Sequence, residues 1–370
     1  MAATTERTRA EPNRHARDRA CFEVALSSMG ISTVTTEPTL LILGTRTDPH
    51  VDRVATELDR RGRVRVFVLD YQDDTRFALE GDVAGELRFW IDGVELPERC
   101  LVWDRTKIIP GTGLYLQGDP TSSGYAAREW RALYKLLCGL HRGSVVNSLE
   151  SRACMIKPYQ QRVAARAGFR VPPTLISNDK ASVLAFQGQN SDRLIMKSVS
   201  AGKVKPATDG GENIPFNVMT MRVEPADLDA ATEEELAYCP HFFQREIGKS
   251  HELRVVVVAG QMLAFRIDSQ GHELTAVDWR KGLHMAGFAP IALEDVVESR
   301  IRTFMTEMGL FTGSLDLIVD REGQEWFLEC NQDGAWGWLD DLVEGAVTRM
   351  FADGFERRLE VGDPAPVVAS

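Results

Sequence analysis

The sequence predicts a mixed α/β chain, with a small strand-helix-strand domain in front and α+β architecture behind it. Three observations carry this. From Leu40 an apolar strand, an amphipathic helix and a second apolar strand follow one another. HELRVVVVAGQMLAFRIDSQ is a strongly β-branched hairpin whose unbroken apolar run suggests a strand covered on both faces. LDLIVDREGQEWFLECN folds back at Glu322-Gly323 as a second hairpin that gathers oxygen-bearing side chains.

The 370 residues, 44% of them apolar, suffice for two or three domains around real cores. A net charge of -11 and an isoelectric point near 5.3 argue against nucleic-acid or anionic-membrane partners, which favour basic surfaces. No apolar run approaches the ~20 residues of a membrane span, and no secretory apolar region opens the chain. The expected location is therefore cytoplasmic. Cys21, Cys100, Cys138, Cys154, Cys239 and Cys330 include no C-x-x-C pair, so they read as reduced thiols in or near the core.

Residues 1–38, rich in Arg and Thr and without apolar periodicity, read as a disordered extension. TLLILGT is then a strand, HVDRVATELDRRG a helix with Val51, Val54, Ala55 and Leu58 at helical spacing, and RVRVFVLD a strand. The turn GTRTDPH lacks the G-x-G-x-x-G of a dinucleotide site, which weakens a nicotinamide reading. The hairpin GELRFWIDGVELP, the strand CLVWDR and the helix SGYAAREWRALYKLLCGL close a first domain over residues 39–145.

The central part, residues 146–242, opens with two short helices. Asn147 or Ser148 caps the first, Pro158 starts the second and Gly168 stops it, with Lys157 at their junction. VPPT begins an extended segment, and RLIMKSVS is a strand presenting Lys197. AGKVKPATDGGENIP, basic and bearing Gly202, Gly210 and Gly211, is either a lid able to close over phosphates or an ordinary surface hairpin. HFFQREI leads into the C-terminal part, residues 243–356, with 357–370 as a tail. Arg254 and Arg266 face each other if their hairpin turn takes three residues, Ala259 to Gln261; with a two-residue turn they lie on opposite faces.

In the second hairpin, pairing about Glu322-Gly323 sets Arg321 against Gln324, Val319 against Trp326 and Asp316 against Glu329, and Asn331 shares the face of Glu329. Opposed side chains lie roughly 5 Å apart, where two carboxylates repel by roughly 3 kcal/mol at an effective dielectric near 20. An ordinary fold rarely keeps such strain without a use. Asp316, Glu329 and Asn331 offer oxygen donors that suit Mg2+, which binds few carboxylates and takes phosphate oxygens for the rest. Strand alternation turns Cys330 to the opposite, core face.

Together these residues resemble ATP-grasp carboxylate ligases, specifically the peptide-macrocyclising enzymes of the microviridin (graspetide) type. The resemblance rests on VNSLESRACMIKPYQQRVAARAGFRVPPTLISND, LIMKSV, FFQREIGKSHELRVVVVAG, TAVDWR and DLIV...EWFLECNQDGAWGWL, in order over residues 145–345. E-x-N marks ATP-grasp enzymes at large, whereas DWR and N-x-x-G-x-W-x-W-L point to the narrower branch. It implies an ATP-grasp fold behind a pre-ATP-grasp domain, with ATP and Mg2+ as cofactors. Lys157 and Lys197 would contact ATP phosphates. Gln244, Arg245, Glu246 and Ile247 would form the adenine hinge, with Glu252 also on the nucleotide, and Asp316, Glu329 and Asn331 would hold Mg2+. Arg254, Arg266 and Arg280 would clamp the γ-phosphate and the substrate carboxylate, as a guanidinium fork can; an ion pair of Arg280 with Asp278 is the competing reading. Arg245 and Glu246 stand where relatives often carry an acidic and an aromatic residue, which leaves side-chain roles in the hinge open. Trp336 and Trp338 read as packing.

The implied activity is an ADP-forming ligation. Asp or Glu side chains of a ribosomal precursor peptide, recognised by a helical leader segment, are phosphorylated and closed into intramolecular esters or amides by a homodimeric enzyme. The competing readings are an ATP-grasp ligase that appends an amino acid to a protein or small carboxylate, and an ATP-binding scaffold without turnover.

Overall fold

The computed structural model describes residues 37–71, 75–106, 120–141, 144–190, 193–199, 203–204, 216–217 and 219–361, so the expected N-terminal extension lies almost wholly outside the described residues. Strand β1 (Thr39–Gly44), apolar through TLLIL, is buried throughout. Asp48 accepts from His50 N and Pro49 fills the first turn, so helix α1 (Pro49–Arg61) begins there; Gly62, at φ 65°, ends it. β2 (Arg65–Asp70) returns parallel to β1, which is the expected βαβ unit. The next hairpin has a third strand in front: β3 (Phe77–Gly81) pairs with β4 (Leu87–Ile91), which pairs with β5 (Val94–Glu95). β6 (Leu101–Asp104), α2 (Pro120–Leu140) and β7 (Val145–Val146) complete a parallel sheet in the order β2-β1-β6-β7.

Ser148 caps α3 (Leu149–Ala153) by accepting from Ser151 N. Asn147 has a different task. At φ 55° it is buried, accepts from Phe311 N and Thr312 N, and donates to Thr312 O. Asn147→Ala orphans these groups and should lower unfolding free energy by about 1–3 kcal/mol in urea titration; an unchanged midpoint would contradict it. α4 (Lys157–Arg166) carries Pro158 in its first turn and stops before Gly168, at φ 93°. β8 (Thr174–Ser177), α5 (Lys180–Gln189) and β9 (Leu194–Lys197) follow. β10 (Lys203–Val204) pairs with β11 (Phe216–Asn217), while Gly202, Gly210 and Gly211 of the expected lid lie outside the described residues. β12 (Met221–Val223), α6 (Pro225–Ala230), α7 (Glu233–Ala237) and β13 (His241–Arg245) complete an antiparallel sheet, β12-β9-β13-β8. β13 pairs with β8 and β9 across its whole length, so this sheet continues past the expected boundary at residue 242.

β14 (Lys249–Val258), β15 (Gln261–Asp268), α8 (Glu273–Val277), β16 (Gly287–Ile291), α9 (Asp295–Glu307), β17 (Thr312–Asp320) and β18 (Glu325–Asn331) build the third sheet, β16-β15-β14-β17-β18. β14 is covered on both faces. Val256 and Val258 join a core with α1, and Leu253, Val255 and Val257 join one with α4 and α9. α10 (Gly337–Leu342) and α11 (Ala346–Val361) end the described chain. The expected tail boundary at 357 falls inside α11, whose Leu359 packs on the first core. α11 lies against the front domain, the Phe351 and Phe355 rings packing at a tilt, 5.4 and 5.3 Å from the Trp103 ring. Among the described residues no helix is long and apolar enough to cross a membrane.

Candidate active site

Asp316 does oppose Glu329, by a route the sequence does not display. Val319 pairs with Glu325, Ile318 with Trp326 and Leu317 with Phe327, so the expected pairing of Val319 with Trp326 is off by one. Asp320 N bonds to Gln324 O, giving a three-residue loop with Gly323 at φ 80°. A bulge at Leu328 then restores the register, setting Asp316 against Glu329, Leu315 against Cys330 and Ser314 against Asn331. Cys330 faces the core, where burial pushes its thiol up.

These side chains border a cleft of two lobes, about 690 and 450 Å3, which share Lys157, Trp279, Arg280, Glu329 and Asn331. The smaller lobe lies between Ile195 and Lys197 of the central sheet and Glu252, Asp316, Ile318 and Leu328 of the third. The larger is bordered by Arg254, Trp338 and the loop from Gln332 to Ala335. Glu329 is the electrostatic centre: Lys157 Nζ is 3.6 Å and Arg280 Nη1 3.5 Å from its oxygens, and Asn331 Nδ2 donates to it at 3.3 Å. Burial alone would raise its carboxyl, but Lys157, Arg280 and Lys197 hold it below the usual carboxylate range. Burial pushes the Asp316 carboxyl up against the pull of Arg254, whose Nη1 lies 2.8 Å from both its oxygens. Among the described residues no three His, Cys, Asp or Glu side chains converge. The donor set is two carboxylates and an amide, hard oxygen donors that fit Mg2+ with phosphate oxygens completing its shell.

Lys197 Nζ donates to Gln244 Oε1 at 3.0 Å, and Gln244 Nε2 donates to Thr174 at 3.2 Å. Burial draws the Lys197 ammonium down to about 8; Glu329 resists, while Arg280 and Lys157 add to the fall. Lysine is neutral above that value. kcat/KM for ATP should therefore fall as pH rises through about 8, and Lys197→Arg should remove this alkaline limb. A limb unchanged in the variant would assign it elsewhere.

The structure does not bring all expected residues into the cleft. Turn residues Ala259 and Gly260, both left-handed, make the two-residue hairpin, so Leu253 pairs with Arg266 and the two arginines face opposite ways. Arg266 is half-exposed, bonded to Asp268 at 2.8 Å, and lines neither lobe. Arg280 combines both readings, with two bonds to Asp278 besides its approach to Glu329. In the expected hinge, Gln244 is buried under Lys197, Arg245 lies over the Trp326 ring at 5.4 Å, Glu246 pairs with Arg222, and Ile247 is buried; these side chains do not line the lobes. Glu252 does line the smaller lobe. A bulge at Ser250 places Lys249 on its side, 2.6 Å away, yet burial keeps the Glu252 carboxyl raised. Trp336 is core, stacked on Phe351, whereas Trp338 also borders the larger lobe.

Sequence reasoning missed the floor of the larger lobe. Arg152 holds the Asp333 carboxylate at 3.0 and 3.4 Å; Trp279 walls both lobes and Asp278 the smaller one. Arg152, Asp333, Asp278 and Trp279 all stand in segments that carried the resemblance, none of which pointed to these roles.

Comparison with protein-family models and with curated proteins gives no match. Solved structures match over most of the chain. The Chryseobacterium gregarium RiPP-associated ATP-grasp ligase, in complex with ADP and a leader and core peptide, is 26% identical; the match covers 85% of this chain and 96% of that one, with a TM-score of 0.72. Macrocyclase MdnB from Microcystis aeruginosa MRC is 27% identical over 85% of this chain and 98% of that one, at a TM-score of 0.64. Macrocyclase MdnC from the same source, bound with precursor peptide MdnA, is 23% identical over 85% and 98%, at 0.70. The chain has the ATP-grasp fold these structures share.

Proposed function

We propose that this chain, with the fold of the RiPP-associated ATP-grasp ligases, is itself an ADP-forming ligase that activates Asp or Glu side chains of a ribosomal precursor peptide and closes intramolecular esters or amides. The observation that carries the reading is the Glu329 carboxyl where the two lobes meet, with Lys157 3.6 Å and Arg280 3.5 Å from its oxygens, Asn331 donating to it at 3.3 Å, Asp316 opposite it and Lys197 on the smaller lobe. That is the composition a nucleoside triphosphate and a carboxylate need at one point. Lys157 and Lys197 supply point charges to phosphate oxygens in the smaller lobe, with the Gln244 to Ile247 strand end as the adenine side. Arg254 and Arg280, whose forks already hold Asp316 and Asp278, border the larger lobe and place positive charge beside the substrate carboxylate.

Asp316, Glu329 and Asn331 would hold Mg2+, which when bound neutralises charge on the transferred phosphoryl group. The peptide carboxylate attacks the γ-phosphorus and ADP leaves; a peptide hydroxyl or amine then attacks the acyl carbon and phosphate leaves. Positioning and charge neutralisation supply the rate. The finer reading is a microviridin-type macrocyclase that is cytoplasmic, homodimeric and recognises its substrate through a leader segment.

The test incubates the enzyme with ATP, Mg2+ and the small peptides encoded beside its gene. Each ring closed removes one water, about 18 Da, with ADP released in step. A gain of mass would indicate appending of an amino acid instead, and nucleotide binding without ADP release across those peptides would indicate a scaffold.

A further inference from the structure

The loop flooring the larger lobe is gripped from the front domain by side chains that line neither lobe. His50 Nε2 accepts from Trp336 N at 3.0 Å and from Gly337 N at 3.1 Å. Its Nδ1 lies 2.5 Å from Asp48 Oδ1. Two backbone donors at Nε2 and a carboxylate at Nδ1 fix the tautomer, with the proton on Nδ1. The other Asp48 oxygen accepts from Arg105 Nε at 3.0 Å, and Arg105 Nη1 donates to Asp333 O at 2.9 Å. Asp48, His50 and Arg105 are all buried. On the opposite side Arg254 Nη2 donates to Ala335 O at 3.1 Å while its Nη1 holds Asp316. The loop is also pressed flat, since a Cβ on Gly334 would come within 2.4 Å of the Ser314 side chain.

We infer that Asp48, His50 and Arg105 are positioning residues that seat the peptide-binding floor of the cleft. They reach the peptide through one route: the seated loop presents Ala335 O to the Arg254 guanidinium, which borders the larger lobe. The loop borders the larger lobe and not the smaller, so the clasp acts on the peptide rather than on ATP. This rests on the proposed division of the cleft.

His50→Leu removes the acceptor, and His50→Gln returns an amide oxygen close to the place of Nε2. Steady-state kinetics on the full chain, with ATP, Mg2+ and the precursor peptide, should show KM for peptide raised about tenfold in His50→Leu, KM for ATP within about twofold, and His50→Gln recovered to within about threefold of the unaltered enzyme. Equal effects on both substrates, no effect, or a glutamine variant as impaired as leucine overturns the inference. If His50→Leu does not fold, Arg105→Met, which releases Asp333 O, carries the same comparison. Failure of both to fold makes the trio structural and overturns it too. An unaltered enzyme that turns over no peptide would sink the proposed function instead.

Discussion

Arg254→Met is expected to lower the unfolding free energy by about 3–5 kcal/mol, because it strands a buried carboxylate. Arg254 and Asp316 are 6% and 10% exposed at their side chains, and one Nη1 sits 2.8 Å from both carboxylate oxygens. Removing the cation leaves Asp316 buried beside Glu329 with its main counter-charge gone, so it takes up a proton. The site loses two things at once: the ion pair of Asp316 and the bond to Ala335 O. Urea unfolding measures the first loss and peptide-dependent ADP release the second. A variant within about 1 kcal/mol of the parent, or one still active, would mean that Arg254 is not the partner on which Asp316 depends.

Glu329→Gln should do the opposite: little loss of stability and a large loss of turnover. The shape of the side chain is kept, but the charge that gathers Lys157, Lys197 and Arg280 goes. Removing one charge-stabilising group from a preorganised site typically costs 100- to 1,000-fold, roughly, in kcat. Lys197, already drawn down to about 8, loses the carboxylate that holds it up. The alkaline fall in kcat/KM for ATP should therefore move to lower pH. ADP release across pH, together with a melting curve, checks both parts. Activity above roughly a tenth of the parent would remove Glu329 from the centre of the reaction.

The elements most legible in the sequence were those whose apolar pattern is regular. The front βαβ unit and the β14-β15 hairpin stand as read, and of the two cap candidates Asn147 and Ser148 the structure takes Ser148, because each is set by residues within a few positions of one another. The opposition of Asp316 and Glu329 was legible for a less comfortable reason. Its turn is one residue longer than read, and the bulge at Leu328 compensates, so the right opposition follows from a wrong register. Arg266 shows the converse: two registers were open, and the left-handed pair Ala259-Gly260 selects the one that turns it away. The clasp was not legible at all. His50 meets its partners 286 and 287 residues down the chain, and no local pattern encodes such a distance. β3 escaped notice because its residues are half-buried at most and carry little alternation.

The packing of α11 on the front domain also bears on how the protein is made. All four strands of the parallel sheet exist once residue 146 is synthesised. The rings that cover Trp103, Phe351 and Phe355, come some two hundred residues later. Until α11 has been made, the Trp103 face lacks these two rings, and exposed apolar surface of this kind is what chaperones cover. The first core is therefore completed only by the last described helix.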